Sequence, residues 1–188
     1  MSAEAIVDTM VSIHPLDRVP RAGFLLRGVT EPESVAAHSH ALALLTLLVC
    51  TEYPGEFDSA KAVEMALIHD LQEVVTMDIP LPAGTDAFKA AKEETEQAIF
   101  DDLFARVSPK LKERYAEFRL SRSKEAKLVR GLDKAQMMIK VLCYNREGRG
   151  NLEEFWNHKR NFPDFGIPAL QELFEEIAKR AGRTPPEK

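Results

Sequence analysis

The sequence has little sulfur, few aromatic rings and no surplus of positive charge. Among 188 residues there are two cysteines, one tryptophan and three tyrosines, and 25 Lys and Arg against 30 Asp and Glu leave a formal charge of -5. Cys50 and Cys143 lie far apart, each inside a helical apolar pattern. They supply no disulfide framework and no zinc-ribbon pair, and buried free thiols are predicted. The acidic balance disfavours a nucleic-acid polymer as partner, and the tyrosines are too scattered for a base-stacking platform. A small anionic substrate stays open, because a cation and one local Arg can outweigh the global charge. The longest apolar run, Ala41 to Cys50, is broken by Thr46 and is half what a bilayer crossing needs. Glu4 and Asp8 stand where a secretory signal would be basic. A cytoplasmic protein, off the membrane, is the expectation. Gly148-Arg149-Gly150 lacks the Lys-Ser/Thr of a phosphate loop, and His69 lacks the second histidine of an HExxH pair.

What is present is helical periodicity. Helices are predicted from Ser2 to about Ser12, from an Ser34 N-cap to about Thr51, and from Asp58 or Ser59 through Asp70, with a possible extension past Glu73. Further helices are predicted over Thr85 to Arg106, Pro109 to Leu120, Ser121 or Ser123 to about Asn145, Asn151 to His158, and Pro168 to Arg180. His14 to Glu33, rich in Pro and Gly, reads as an ordered connection, and Ile79 to Gly84 as a loop. No β-alternation, repeat or low-complexity tract is evident. The expected fold is all-α, a compact single-domain helical bundle over residues 1–182 with a frayed tail at 183–188. The acidic run Glu93-Glu94, Glu96, Asp101-Asp102 reads as a solvated helix face. Phe155, Trp156, Phe162 and Phe165 read as core or subunit contact.

Chemistry concentrates at His69-Asp70, which end an apolar helical run and precede Glu73, Thr76 and Asp78. An imidazole and a carboxylate side by side can both bind one borderline divalent cation. A cation would also relieve the conflict between acids and a helix C-terminus. On a helical wheel His38 shares the stripe of Ala41, Leu42, Leu45 and Val49, whereas His40 falls about 200° away. Asp133 lies among Ala126, Val129, Gln136 and Met137; it is either a ligand or the partner of Lys134, Lys140 or Arg130. Two imidazoles with two carboxylates make a mixed N/O set suited to Mn²⁺, Fe²⁺, Co²⁺, Ni²⁺ or Zn²⁺ over Ca²⁺.

The order His38, His69-Asp70, Asp133 resembles the HD-domain metal-dependent phosphohydrolases. Asp17 to Phe24, Pro32 to His38, His69 to Pro80, Glu125-Ala126-Lys127 and Leu132-Asp133-Lys134 together look like the 5′-deoxynucleotidase family within that superfamily. The resemblance implies an HD-type bundle that hydrolyses deoxyribonucleoside 5′-monophosphates to deoxynucleosides and phosphate. It implies His38, His69, Asp70 and Asp133 as ligands of one divalent transition ion, with Co, Mn, Fe, Ni, Cu or Zn as candidates. Glu73 matches the acid that activates or orients the attacking water, and Asp78 the acid that contacts the sugar. Arg21 lies near the position of the phosphate-binding basic residue, with Arg18 as its rival because the loop alignment is ambiguous by one residue. Phe24 stands where relatives carry Trp, a substrate-stacking position, and Ala37 where they carry an acid. A homodimer is a further expectation of the family. Two other readings remain: a superfamily phosphohydrolase with another nucleotide or phosphomonoester substrate, and a catalytically inactive helical adaptor.

Overall fold

The computed structural model describes residues 2–80, 86–106 and 108–186. The chain runs α1 (Ala3–Ile13), a 3-10 turn (His14–Arg18), α2 (Ala22–Leu25), α3 (Val35–Glu52), α4 (Ser59–Ile68), α5 (Glu73–Thr76) and α6 (Asp86–Leu103). It continues through α7 (Pro109–Arg119), α8 (Lys124–Arg146), α9 (Glu153–Asn157), a second 3-10 turn (Lys159–Asn161) and α10 (Pro168–Arg180). The fold is all-α, as expected. Among the described residues the one strand-like pairing is an isolated bridge between Pro20 and Ser34. Leu81 to Gly84 of the predicted loop lie outside the described residues.

Short polar side chains start the helices by accepting the N–H groups that have no intrahelical partner. Ser2 caps α1, Ser34 caps α3, Asp58 caps α4 and Ser123 caps α8, each bonding the backbone N–H three residues on at 3.0–3.2 Å. Two predicted helix ends come too late: the helix expected to reach Arg106 stops at Leu103, and the break after α4 matters more. The third helix stops at Ile68 with His69 as its C-cap, and a turn separates it from α5. That break lets Asp70 and Glu73 leave the line of the α4 axis.

The core forms where α3, α4 and α8 meet. Leu42, Ala62, Met65, Ala66, Leu132 and Met138 are all fully buried there. Small residues on α4 let the helices approach closely. Gly131 does the same for α8 and α10: a Cβ there would meet Leu170 Cδ1 at 2.3 Å. A second apolar cluster joins Leu16, Val19, Val35, Ile68 and Leu71 to Phe100 and Tyr115, whose rings stack at 3.8 Å. It fastens the first 3-10 turn and α6 beside the end of α4.

α3 is long and apolar enough to cross a membrane, beyond what the Ala41–Cys50 run indicated. In the bundle it packs on α4 and α8 and buries His38, so its apolarity serves the core. Its outer row, Leu44, Leu47 and Leu48, is exposed, as are Ile6, Val7, Met10 and Val11 of α1.

Two further expectations change. Glu96 of the acidic run turns inward, and Lys92 Nζ lies 2.8 Å from it. Arg183 is tied down, its guanidinium bonding Glu153 at 2.6 and 2.7 Å and covering the Trp156 ring. The C-terminal aromatic cluster is interior, with Trp156 buried and Phe162 packed between Trp156 and Phe174; only Phe165 is exposed. Cys50 is a buried free thiol and Cys143 a half-buried one.

Candidate metal centre

Four side chains from three stretches converge between α3, α4 and α8. His38 Nε2 lies 3.2 Å from Asp133 Oδ1 and 3.9 Å from Asp70 Oδ2. His69 Nε2 lies 2.9 Å from the same Asp70 oxygen. The two imidazole centroids are 5.3 Å apart. One donor atom each from His38, His69 and Asp133 falls within 4.8 Å of the others. Asp70 closes the group from the turn after α4.

The other ring nitrogens fix the tautomers. His69 Nδ1 lies 2.9 Å from the Ala66 carbonyl, so Nδ1 carries the proton and donates it. His38 Nδ1 lies 2.6 Å from Gln136 Oε1, and the Gln136 amide N–H groups face the Glu33 carboxylate at 3.1 and 3.3 Å. Reversing that amide would set its oxygen against a carboxylate, so Oε1 accepts from His38. Both Nε2 lone pairs therefore point inward. Both are buried and have no hydrogen-bond partner. Two bare imidazole lone pairs flanked by two carboxylates are costly to bury unless a cation takes them up. The donor set fits a divalent transition ion.

Without a metal ion a proton is the substitute cation: burial opposes charge on His69, but Asp70 and then Asp133 outweigh it and raise its pKa. Burial opposes ionisation of Asp70, but His69 and then Arg21 outweigh it and hold the carboxyl down at about 2. Burial likewise opposes ionisation of Asp133, while Lys134 and His38 keep it well below the usual range. Asp133 Oδ2 pairs with Lys134 at 3.0 Å, while Oδ1 faces His38 and is placed as a ligand atom would be. Glu73 goes the other way. The residue is only 5% exposed, and burial together with the charges of Asp70 and Asp78 pushes its carboxyl up to about 10. One of its oxygens, Oε2, is buried without a hydrogen bond.

The structure separates the two arginines. Arg21 Nη1 lies 3.5 Å from Asp70 Oδ2, with an 11% exposed side chain. Arg18 is 75% exposed and engages His14 and Asp17. Asp78 accepts the Ala22 N–H through Oδ2 at 2.7 Å, which holds the residue after Arg21 in place. Met77, just before it, has φ 63° and ψ 167°, a conformation rare for a side-chain-bearing residue. That strained step carries the chain from α5 back to Ala22.

Phe24 is a correction. It is 2% exposed, edge-on to Tyr144 at 5.2 Å and stacked on Phe155 at 5.4 Å. Its ring is consumed by core packing and no face is left for a substrate. Phe24→Ala is expected to destabilise the fold by about 3–5 kcal/mol, as large core truncations do, measured by chemical denaturation. His40 is exposed and sits with Met10, Ile13 and Leu67, outside the ligand group. Ala37 is exposed too. Sequence reasoning noted Gln136 only as a neighbour and Glu33 only as part of a motif. Asp133, Gln136, Lys140 and Tyr144 recur every three or four residues along α8, and that polar stripe was the available signal.

Comparison with known proteins agrees with this geometry. A Xenopus laevis protein named 5′-deoxynucleotidase HDDC2 is 32% identical over 182 residues, covering 94% of this chain and 87% of its own length. The Schizosaccharomyces pombe 5′-deoxynucleotidase hdd1 is 26% identical over 80% of this chain and 79% of its own. The crystal structure of the PH0347 protein from Pyrococcus horikoshii OT3 superposes with a TM-score of 0.74 at 34% identity, covering 94% of this chain and 98% of that one. A Magnetospirillum magnetotacticum MS-1 structure shares the fold at 22% identity and a TM-score of 0.68, covering 97% and 95% of the two chains. The HD domain family model spans residues 13–170, which take in His38, His69, Asp70 and Asp133. A chain so matched, with a histidine and aspartate pair converging on a second such pair in the core, belongs to the HD domain family.

Proposed function

We propose that the chain hydrolyses the phosphate ester of nucleoside 5′-monophosphates, with deoxy forms preferred, using one divalent transition ion. The observation that carries this reading is the pair of buried, unpartnered Nε2 atoms of His38 and His69 beside Asp70, Asp133, Arg21 and Glu73. Support for the substrate class comes from relatives named 5′-deoxynucleotidase along most of the chain.

Monoester hydrolysis is among the slowest uncatalysed reactions, so the site must remove a large barrier. A divalent ion held by His38, His69, Asp70 and Asp133 would supply positive charge for phosphoryl oxygens, acidify a water and offset the Asp70 charge facing Glu73. Glu73 would take or direct the water's proton once a bound cation offsets the burial and the Asp70 and Asp78 charges that otherwise keep its carboxyl protonated. The Arg21 guanidinium, held beside Asp70, can clamp the phosphate with two hydrogen bonds. Asp78 holds Arg21's loop through Ala22 and keeps one oxygen for the sugar.

The test is phosphate release with added Co²⁺ or Mn²⁺ from a panel of deoxy- and ribonucleoside 5′-monophosphates, cyclic nucleotides and a simple aryl phosphate. Release from the deoxynucleoside monophosphates first is expected. Equal release from ribo- and deoxy forms removes the deoxy preference, and release only from another ester assigns another substrate to the same site. In the same assay Arg21→Lys is expected to raise KM about tenfold or more, since an ammonium cannot reproduce the bidentate clamp. Arg18→Ala is expected to leave KM near the parental value.

A further inference from the structure

His38 is held by a chain of buried groups that leads away from the centre. Its Nδ1–H donates to Gln136 Oε1 at 2.6 Å, and the Gln136 amide donates in turn to both oxygens of Glu33. The Glu33 side chain is 3% exposed, faces Lys140 Nζ at 3.5 Å and lies 3.9 Å from His38 Nδ1. Its own backbone N–H donates to Tyr144 Oη at 2.8 Å. The Tyr144 ring is packed against Phe24 and covered by the cations of Lys140 and Arg149. Asp133, Gln136, Lys140 and Tyr144 occupy one stripe of α8, so a single helix face presents a candidate ligand, the amide, the balancing cation and the anchor.

We infer that Glu33, acting through Gln136, is a positioning residue for the metal centre: it locks His38 in the Nδ1–H tautomer and strengthens its hold on the cation. The inference rests on the metal-centre reading above and adds to it a control on affinity. The physical reason for an amide in the middle is charge. A carboxylate directly on His38 Nδ1 would place a third anion beside Asp70 and Asp133. The amide takes the Nδ1–H bond itself, while the Glu33 carboxylate stays beyond hydrogen-bond reach at 3.9 Å with its other oxygen against Lys140. Hydrogen-bond chains polarise cooperatively in a low-dielectric interior, and partners behind metal-binding histidines are worth about 10–100-fold in affinity.

The test measures Co²⁺ binding to metal-free protein by calorimetry, with the ¹⁵N signals of the His38 ring as a second readout. Gln136→Leu keeps the buried volume and removes the acceptor. It is expected to weaken Co²⁺ binding by about 10–100-fold and to let His38 populate both neutral tautomers. Glu33→Gln keeps a hydrogen-bond acceptor but removes the charge, and an intermediate loss of about tenfold is expected, with the tautomer retained. Tyr144→Phe, which touches only the backbone anchor, is expected to weaken binding less than either. A parent that binds Co²⁺, with Gln136→Leu and Glu33→Gln variants that bind it equally well, overturns the relay alone. A parent that binds no Co²⁺ overturns the metal centre and the relay with it. Should Gln136→Leu fail to fold, the Glu33→Gln titration decides.

Discussion

Asp133→Ala is expected to reduce phosphate release by more than about 10³-fold, roughly 4 kcal/mol of barrier, and to remove stoichiometric Co²⁺ binding. Asp133 is the α8 contribution to a group otherwise drawn from α3 and the end of α4, and its Oδ1 is the carboxylate oxygen nearest His38. Without it, two buried imidazole lone pairs face Asp70 alone, and one carboxylate must balance the whole ion. Asp70→Ala should do the same, because its Oδ2 reaches both rings. Metal content by mass spectrometry and turnover on a deoxynucleoside 5′-monophosphate check both. His40→Ala is the control: as an exposed residue outside the group, it should leave turnover within about twofold, the effect of the ±0.5 kcal/mol expected of a surface change. An active Asp133→Ala enzyme with bound metal would reject the proposed ligand set.

Glu73→Gln is expected to lower turnover by roughly 10²–10⁴-fold, the usual worth of a positioned acid–base group, while making the metal-free protein more stable. The second half follows from linkage. Burial first, then Asp70 and Asp78, raise the folded carboxyl from 4.5 to about 10. A group raised on folding contributes stability that is fully present below the unfolded value and is lost as pH rises through the folded one. Glu73 therefore makes the metal-free fold progressively less stable between about pH 4.5 and about pH 10. Asp70 has the opposite sign: lowered from 3.8 to about 2, its contribution is present above pH 3.8 and is lost as pH falls through about 2. A neutral amide at position 73 removes the alkaline loss. The melting temperature of the metal-free variant at pH 8–9 should exceed the parent's, and its decline with pH should be shallower. An active variant with an unchanged pH–stability profile would take Glu73 out of the mechanism. The combination is a stability–function conflict: an acid is kept where the folded chain would prefer a neutral group.

Much of the site was legible because its signals are local. His38 read as core-facing from the 3.6-residue period alone, and the structure buries it completely. His69-Asp70 stood out as polar groups on an apolar run, and Ser34, Asp58 and Ser123 announced the helix starts with their side-chain oxygens. Other features needed distances between remote residues. Phe24 looked available for stacking, yet Tyr144 and Phe155, over a hundred residues away, take up its ring. Glu96 sits in an acidic run that reads as solvated, and only the approach of α6 to the bundle turns it inward. The end of α4 was placed too late because helix periodicity runs on smoothly through His69, whereas the backbone turns there.

The sequence by itself determined an all-α chain, the segment carrying each candidate ligand, and the residue types fit to hold a cation. These follow from periodicity, capping and donor chemistry, all of which act within a few residues. Only the tertiary structure decided that Arg21 and not Arg18 faces Asp70, that Asp133 serves His38 and Lys134 at once, and that Glu33 reaches His38 through Gln136. Those pairings depend on how α3, α4 and α8 pack and where the chain turns between them. Burial then removes the water that would otherwise satisfy the groups separately, so each polar atom takes the partner that packing brings to it.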